Sequence, residues 1–116
     1  MTLLKYKMAN LPKDAYVLSA SGHNSELDEL LSLGYLHLFA IGGKDIYDSP
    51  NYEKIKYLYA KQENTHFPDS FFDLVYFTNK PEETCIGEAK RITANKGQVV
   101  FREGSEHKVI NIKKDS

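Results

Sequence analysis

Hydrophobic positions along this chain follow two periods. Short apolar runs at Ala15 to Ala20, Tyr35 to Ile41, Ile55 to Ala60, Asp73 to Thr78 and Gln98 to Arg102 have the length and composition of buried strands. Between some of them, apolar side chains recur every three or four residues, which predicts amphipathic helices. Ser25 reads as an N-cap with Glu26 and Asp28 in the first turn, Leu27, Leu30 and Leu31 form the apolar stripe, and Gly34 is the stop. Glu82 to Thr93 carries Cys85, Ile86, Ala89 and Ile92 on one side and Glu83, Glu88, Lys90 and Arg91 mostly on the other. Gly87 weakens that helix.

The connections differ in length. After Asp48-Ser49-Pro50 the next strand arrives so soon that the intervening helix is reduced to a turn or so around Ser49 to Glu53. Asn95-Lys96-Gly97 reads as the end of the second helix, and Glu103-Gly104-Ser105-Glu106 as a turn into a last strand at Lys108 to Lys113, antiparallel to the fifth. Alternating strands and helices, with the nearly continuous apolar run of Asp73 to Thr78, predict an α/β fold built on an open, mostly parallel sheet covered on both faces.

Composition narrows the function classes. The chain has 116 residues, 41% hydrophobic and 27% charged, which suits one globular domain over residues 1–116. Fifteen basic and sixteen acidic residues leave a net charge of -1, so neither nucleic acid nor an anionic membrane is an expected partner. No apolar run approaches the roughly 20 residues of a membrane span, and a cytoplasmic location is expected. Cys85 has no partner for an internal disulfide and lies on an apolar stripe, which reads as packing. The four histidines, His23, His37, His66 and His107, lack metal-ligand spacing, so no metal is expected.

Three segments carry a family resemblance. Glu63-Asn64, Phe67-Pro68-Asp69 and Phe72-Asp73-Leu74-Val75 are similar to the "E-N-x-P-F-P-D-x-S-F-D-L-V" segment of class I S-adenosylmethionine (SAM) dependent methyltransferases. The segment from Glu88 to Phe101, with Glu88 and Arg91, resembles the same family's "E-x-x-R-V-L-K-P-G-G-x-L-V-I". The resemblance covers Ala15 to Arg102. It implies a shortened Rossmann-like sheet of strand order 3-2-1-4-5, with the antiparallel terminal strand beyond, and a cofactor cleft outside the carboxyl ends of the strands.

The positions implied for the cofactor are altered. The family's "V-L-D-x-G-C-G-x-G" stands here as Val17-Leu18-Ser19-Ala20-Ser21-Gly22-His23-Asn24-Ser25, with Ser19 for the acid and Ser21, His23 and Ser25 for glycines. Gly42, followed by Gly43, replaces the ribose-binding acid after the second strand, and Asp45 lies three residues on. Lys61 replaces the adenine-side acid, leaving Gln62 or Glu63 to reach an adenine edge. Asn79 follows the fourth strand, where it reads as a substrate-orienting group or as a helix cap. These departures predict a methyltransferase-like domain that has lost ordinary SAM binding and acts through contact with a protein partner or a second copy. The alternative is a divergent but active SAM-dependent methyltransferase. Tyr57, Tyr59 and Tyr76 read as core, and Tyr47 and Tyr52 as an interaction surface.

Overall fold

A computed structural model describes residues 11–21, 25–42 and 54–114. One six-stranded sheet organises them: β1 (Tyr16–Ser19), β2 (His37–Gly42), β3 (Lys56–Tyr59), β4 (Phe72–Phe77), β5 (Thr93–Glu103) and β6 (Glu106–Asn111), in spatial order β3-β2-β1-β4-β5-β6. The first five strands are parallel and β6 returns antiparallel to β5, as expected. Helix α1 (Ser25–Ser32) follows β1, and α2 (Glu83–Ile92) joins β4 to β5. The turn expected around Ser49 to Glu53 lies outside the described residues.

The two periods of the sequence become two cores. On the α1 side, Leu27 and Leu30 belong to a buried cluster with Val17, Tyr35, Leu38, Leu74, Tyr76 and Val100. On the α2 side, Cys85, Ala89 and Ile92 belong to one with Leu18, Ile41, Phe72, Val75, Phe77 and Val99. Successive residues of β1, and of β4 from Leu74 onward, thus go to opposite cores, while Phe72, which precedes the register shift against β5, joins the α2 side. These central strands are covered on both faces and read as nearly continuous apolar runs. At one edge, β3 has only its β2 side paired, and Lys56, Leu58 and Tyr59 are exposed.

Helix α1 stops where Gly34 takes φ +93°, a left-handed value that disfavours a side chain. Helix α2 stops differently from expectation. It ends at Ile92, where Thr93 turns extended (φ -93°, ψ 134°), pairs with Phe72 and donates its hydroxyl to the Ala89 carbonyl at 2.6 Å. Asn95-Lys96-Gly97 therefore belongs to β5 and not to a helix terminus. The register passes from Phe72↔Thr93 to Leu74↔Gln98, so two residues of advance on β4 match five on β5 and the surplus forms a bulge. Lys96 sits there at φ +71° and donates its amide to the Ile112 carbonyl at 2.8 Å. A side chain at Gly97 would place Cβ 2.8 Å from the Asp73 carbonyl oxygen, so the bulge needs glycine.

The segments that carried the family resemblance meet in space. Glu88 Oε2 accepts from the Thr65 amide (2.8 Å) and hydroxyl (2.7 Å), while Arg91 donates to both Glu88 oxygens at 2.8 Å. Arg91 also donates to the Phe67 carbonyl (2.8 Å) and to Asp69. The loop of Thr65 to Asp69 is thereby tied to α2. The Arg91 bonds, then those from Thr65, hold the Glu88 carboxyl down at about 2 against the cost of its burial. Ser70 and Phe71 amides bond the Arg91 and Ile92 carbonyls, which a helix terminus otherwise leaves open. Asp73, next in the motif, accepts from the Tyr16 amide at 2.8 Å and locks the start of β1 to β4.

Candidate ligand cleft

Because β1 and β4 are neighbours while their following connections lead to opposite halves of the sheet, the loops after them diverge and leave a crevice. A cleft of about 530 Å³ opens there. Among the described residues it is lined by Ala20, Ser21, Ile41, Gly42, Tyr59, Ala60, Lys61, Gln62, Thr78 and Asn79. Four strand ends thus contribute to one concavity. A second hollow, of about 330 Å³, adjoins it and shares Tyr59, Ala60 and Lys61, with Asn64 and His66 beyond.

Ser21, Gly42, Gln62 and Asn79, named from sequence, do come together here. Ser19 does not join them: it is buried in the sheet beneath. Glu63 is exposed on the four-residue turn closed by the Asn64 amide on the Lys61 carbonyl (3.1 Å), outside the lining. Gly22, His23, Gly43 and Asp45 lie outside the described residues, as do Tyr47 and Tyr52.

Two of the polar groups brace the walls. Gln62 donates its amide nitrogen to the Ala20 carbonyl at 2.7 Å, tying the loop after β3 to that after β1. Ser21 Oγ accepts from the Thr78 amide at 3.0 Å, tying the loops after β1 and β4. Neither bond needs a ligand to form. The described lining contains no carboxylate, and Lys61, which is exposed, is its one charged side chain.

Tyr59 departs from the core role expected for it. It is 80% exposed, at the end of an edge strand, while Tyr57 is half-buried and Tyr76 buried. In the parallel register it stands beside Gly42 of β2, and no neighbouring side chain covers it from that position. Alternation along β3 failed as a guide because the strand has one paired neighbour and little cover.

The other candidate groups remain structural. His37 is half-buried and stacks on Tyr16 with ring centroids 4.4 Å apart. Cys85 is buried, and burial, then the charge of Glu63, pushes its thiol up, which disfavours the thiolate. No group of three or more His, Cys, Asp or Glu residues suited to a metal occurs among the described residues. No described helix is long and apolar enough to cross a membrane.

A parallel sheet of order 3-2-1-4-5 with a cleft beyond β1, β2, β3 and β4 is the fold of class I SAM-dependent methyltransferases, and this chain has that fold. Solved structures similar to it include the YcgJ protein of Bacillus subtilis, with TM-score 0.70 and 17% identity over 84% of this chain and 47% of that one. A protein of Methanococcus maripaludis assigned as a SAM-dependent methyltransferase matches with TM-score 0.67 and 15% identity, over 88% of this chain and 54% of that one. Geranyl diphosphate methyltransferase, solved in complex with SAM, matches with TM-score 0.73 and 9% identity, over 87% and 46%. The chain spans about half the length of these structures. No protein-family model and no curated protein matches the sequence.

Proposed function

We propose that this chain is a methyltransferase-fold module that has lost ordinary SAM binding and acts through contact with a protein partner or a second copy of itself. The observation that carries the reading is the charge of the cleft: Gly42 and Lys61 line it, and no carboxylate does among the described residues. SAM has two ribose hydroxyls to donate and a net positive charge, so it favours carboxylate acceptors. One charge-assisted hydrogen bond is worth about 1.5 to 3 kcal/mol, so each absent acceptor weakens binding roughly ten- to a hundredfold. Lys61 adds repulsion. The groups retained from the family pattern, Glu88, Arg91, Asp69 and Asp73, spend their bonds on the scaffold.

The second reading, a divergent active methyltransferase, draws on the persistence of the cleft itself and on Asn79 at its wall. Isothermal titration of the 116-residue chain with SAM and with S-adenosylhomocysteine separates the two. The module reading expects no saturable heat at millimolar ligand. Saturable binding of either compound in the micromolar range would sink it and favour the enzyme.

A further inference from the structure

We infer that the cleft at the ends of β1 to β4 binds a nucleoside phosphate, its base lying against Tyr59 over Gly42 and its phosphates at Lys61. This rests on the loss of ordinary SAM binding proposed above, and names what the same cleft takes instead. Three features point to a planar, anionic ligand. The first is the exposed ring of Tyr59, whose neighbour in register, Gly42, has no side chain, so a flat group can lie beside it. Base stacking on an aromatic ring contributes about 1 to 3 kcal/mol and tolerates any base. The second is charge: Lys61 is the one ionised side chain in the described lining, and it borders both the cleft and the adjoining hollow, where His66 also stands. An anion there meets a cation, and the described lining of both hollows holds no carboxylate, Glu63 of the same turn lying outside it.

The third feature is rigidity with room. Gln62 and Ser21 already hold the three loops together through the Ala20 carbonyl and the Thr78 amide. These bonds brace the described parts of the walls before any ligand arrives. Half-buried Ala60 gives the cleft a small apolar surface, with the buried Ala20 and Ile41 also at its lining, and about 530 Å³ lies within the range of roughly 300 to 1,000 Å³ typical of small-molecule sites.

The test is titration of the full chain with ADP, GDP, CDP and UDP, beside adenosine and inorganic phosphate, at low and moderate salt. At least one diphosphate is expected to bind saturably and more tightly than adenosine or phosphate alone, and to weaken as salt rises. Lys61→Glu is expected to weaken it at least tenfold, and Tyr59→Ala about tenfold, with Tm unchanged because both side chains are exposed. Absence of saturable binding by all four diphosphates overturns the inference, as does equal affinity in Lys61→Glu. If those fail while SAM also fails to bind, the module reading stands alone. If SAM binds more tightly than every diphosphate, both readings fall.

Discussion

Replacing Glu88 by Gln is expected to destabilise the fold in a way that pH exposes. The Glu88 side chain is only 9% exposed and accepts from Arg91 and from both the amide and the hydroxyl of Thr65. Its carboxyl titrates at about 2 in the folded chain against an ordinary 4.5. At about 1.4 kcal/mol per pH unit, the gap corresponds to roughly 3 kcal/mol of linked stability. Arg91 is 39% exposed, so water partly replaces its lost partner, and about 2 kcal/mol is expected at pH 7. The folded value is the lower one, so this contribution is complete above about 4.5 and disappears as pH falls through about 2. Gln at this position does not titrate. Wild type should therefore exceed Glu88→Gln by about 2 kcal/mol at pH 7 and by progressively less from pH 4.5 to pH 3. Urea unfolding followed by circular dichroism, with common m-values, measures the difference at each pH. Other carboxylates lower both stabilities together and cancel. A gap under about 0.5 kcal/mol at pH 7, as an exposed pair gives, or one constant down to pH 3, as a change in packing alone gives, would refute the reasoning.

Glycine substitutions should split by position. Gly97→Ala brings Cβ within 2.7 Å of Thr93 Cγ2 and 2.8 Å of the Asp73 carbonyl, costing about 1 to 3 kcal/mol, whereas Gly87→Ala meets nothing within 4 Å on α2 and should gain about 0.5 to 1 kcal/mol in the same urea assay. Cys85 should react with a maleimide only on unfolding, its rate in buffer falling at least a hundredfold below that in urea; prompt native labelling would contradict its burial. Supplying acceptors with Gly42→Asp and Lys61→Asp together should bring saturable SAM binding into the range calorimetry reads, a gain of at least tenfold, and continued absence of saturable heat would mean that these positions do not face the cofactor.

Much of the fold was legible in the sequence because burial on two faces leaves a signature that needs no partner information. Val17, Leu18, Leu74 and Val75 are apolar without alternation, which a strand tolerates only where helices cover both sides of the sheet. The order of the strands came from the family resemblance, and the residues behind it are those that bind segments together: Asp73 to the Tyr16 amide, Arg91 to the Phe67 carbonyl. The end of α2 was misread because Asn-Lys-Gly marks a helix stop and a strand bulge equally well. What separates them is the partner strand, since Thr93 finds Phe72 before the helix can continue.

The cleft was harder to read for a related reason. A side chain's chemistry tells what it can do, and its neighbours decide whether that capacity is free. Gln62 looked available for an adenine edge, yet its amide nitrogen braces the Ala20 carbonyl across the cleft, a bond between residues 42 positions apart. Tyr59 looked like core because it sits on a strand, but its exposure follows from β3 having only one paired neighbour and from Gly42 standing at its register position. Lys61 lies at the cleft as an exposed cation, a feature that depends on its place at a strand end and not on a distant bond. The same comparison separates the motif residues that speak for the fold from those that speak for a ligand. Glu88, Arg91, Asp69 and Asp73 satisfy backbone and one another, so folding alone accounts for these residue types, whereas Gly42 and Lys61 line the cleft, where the residue type bears on a ligand and not on the scaffold.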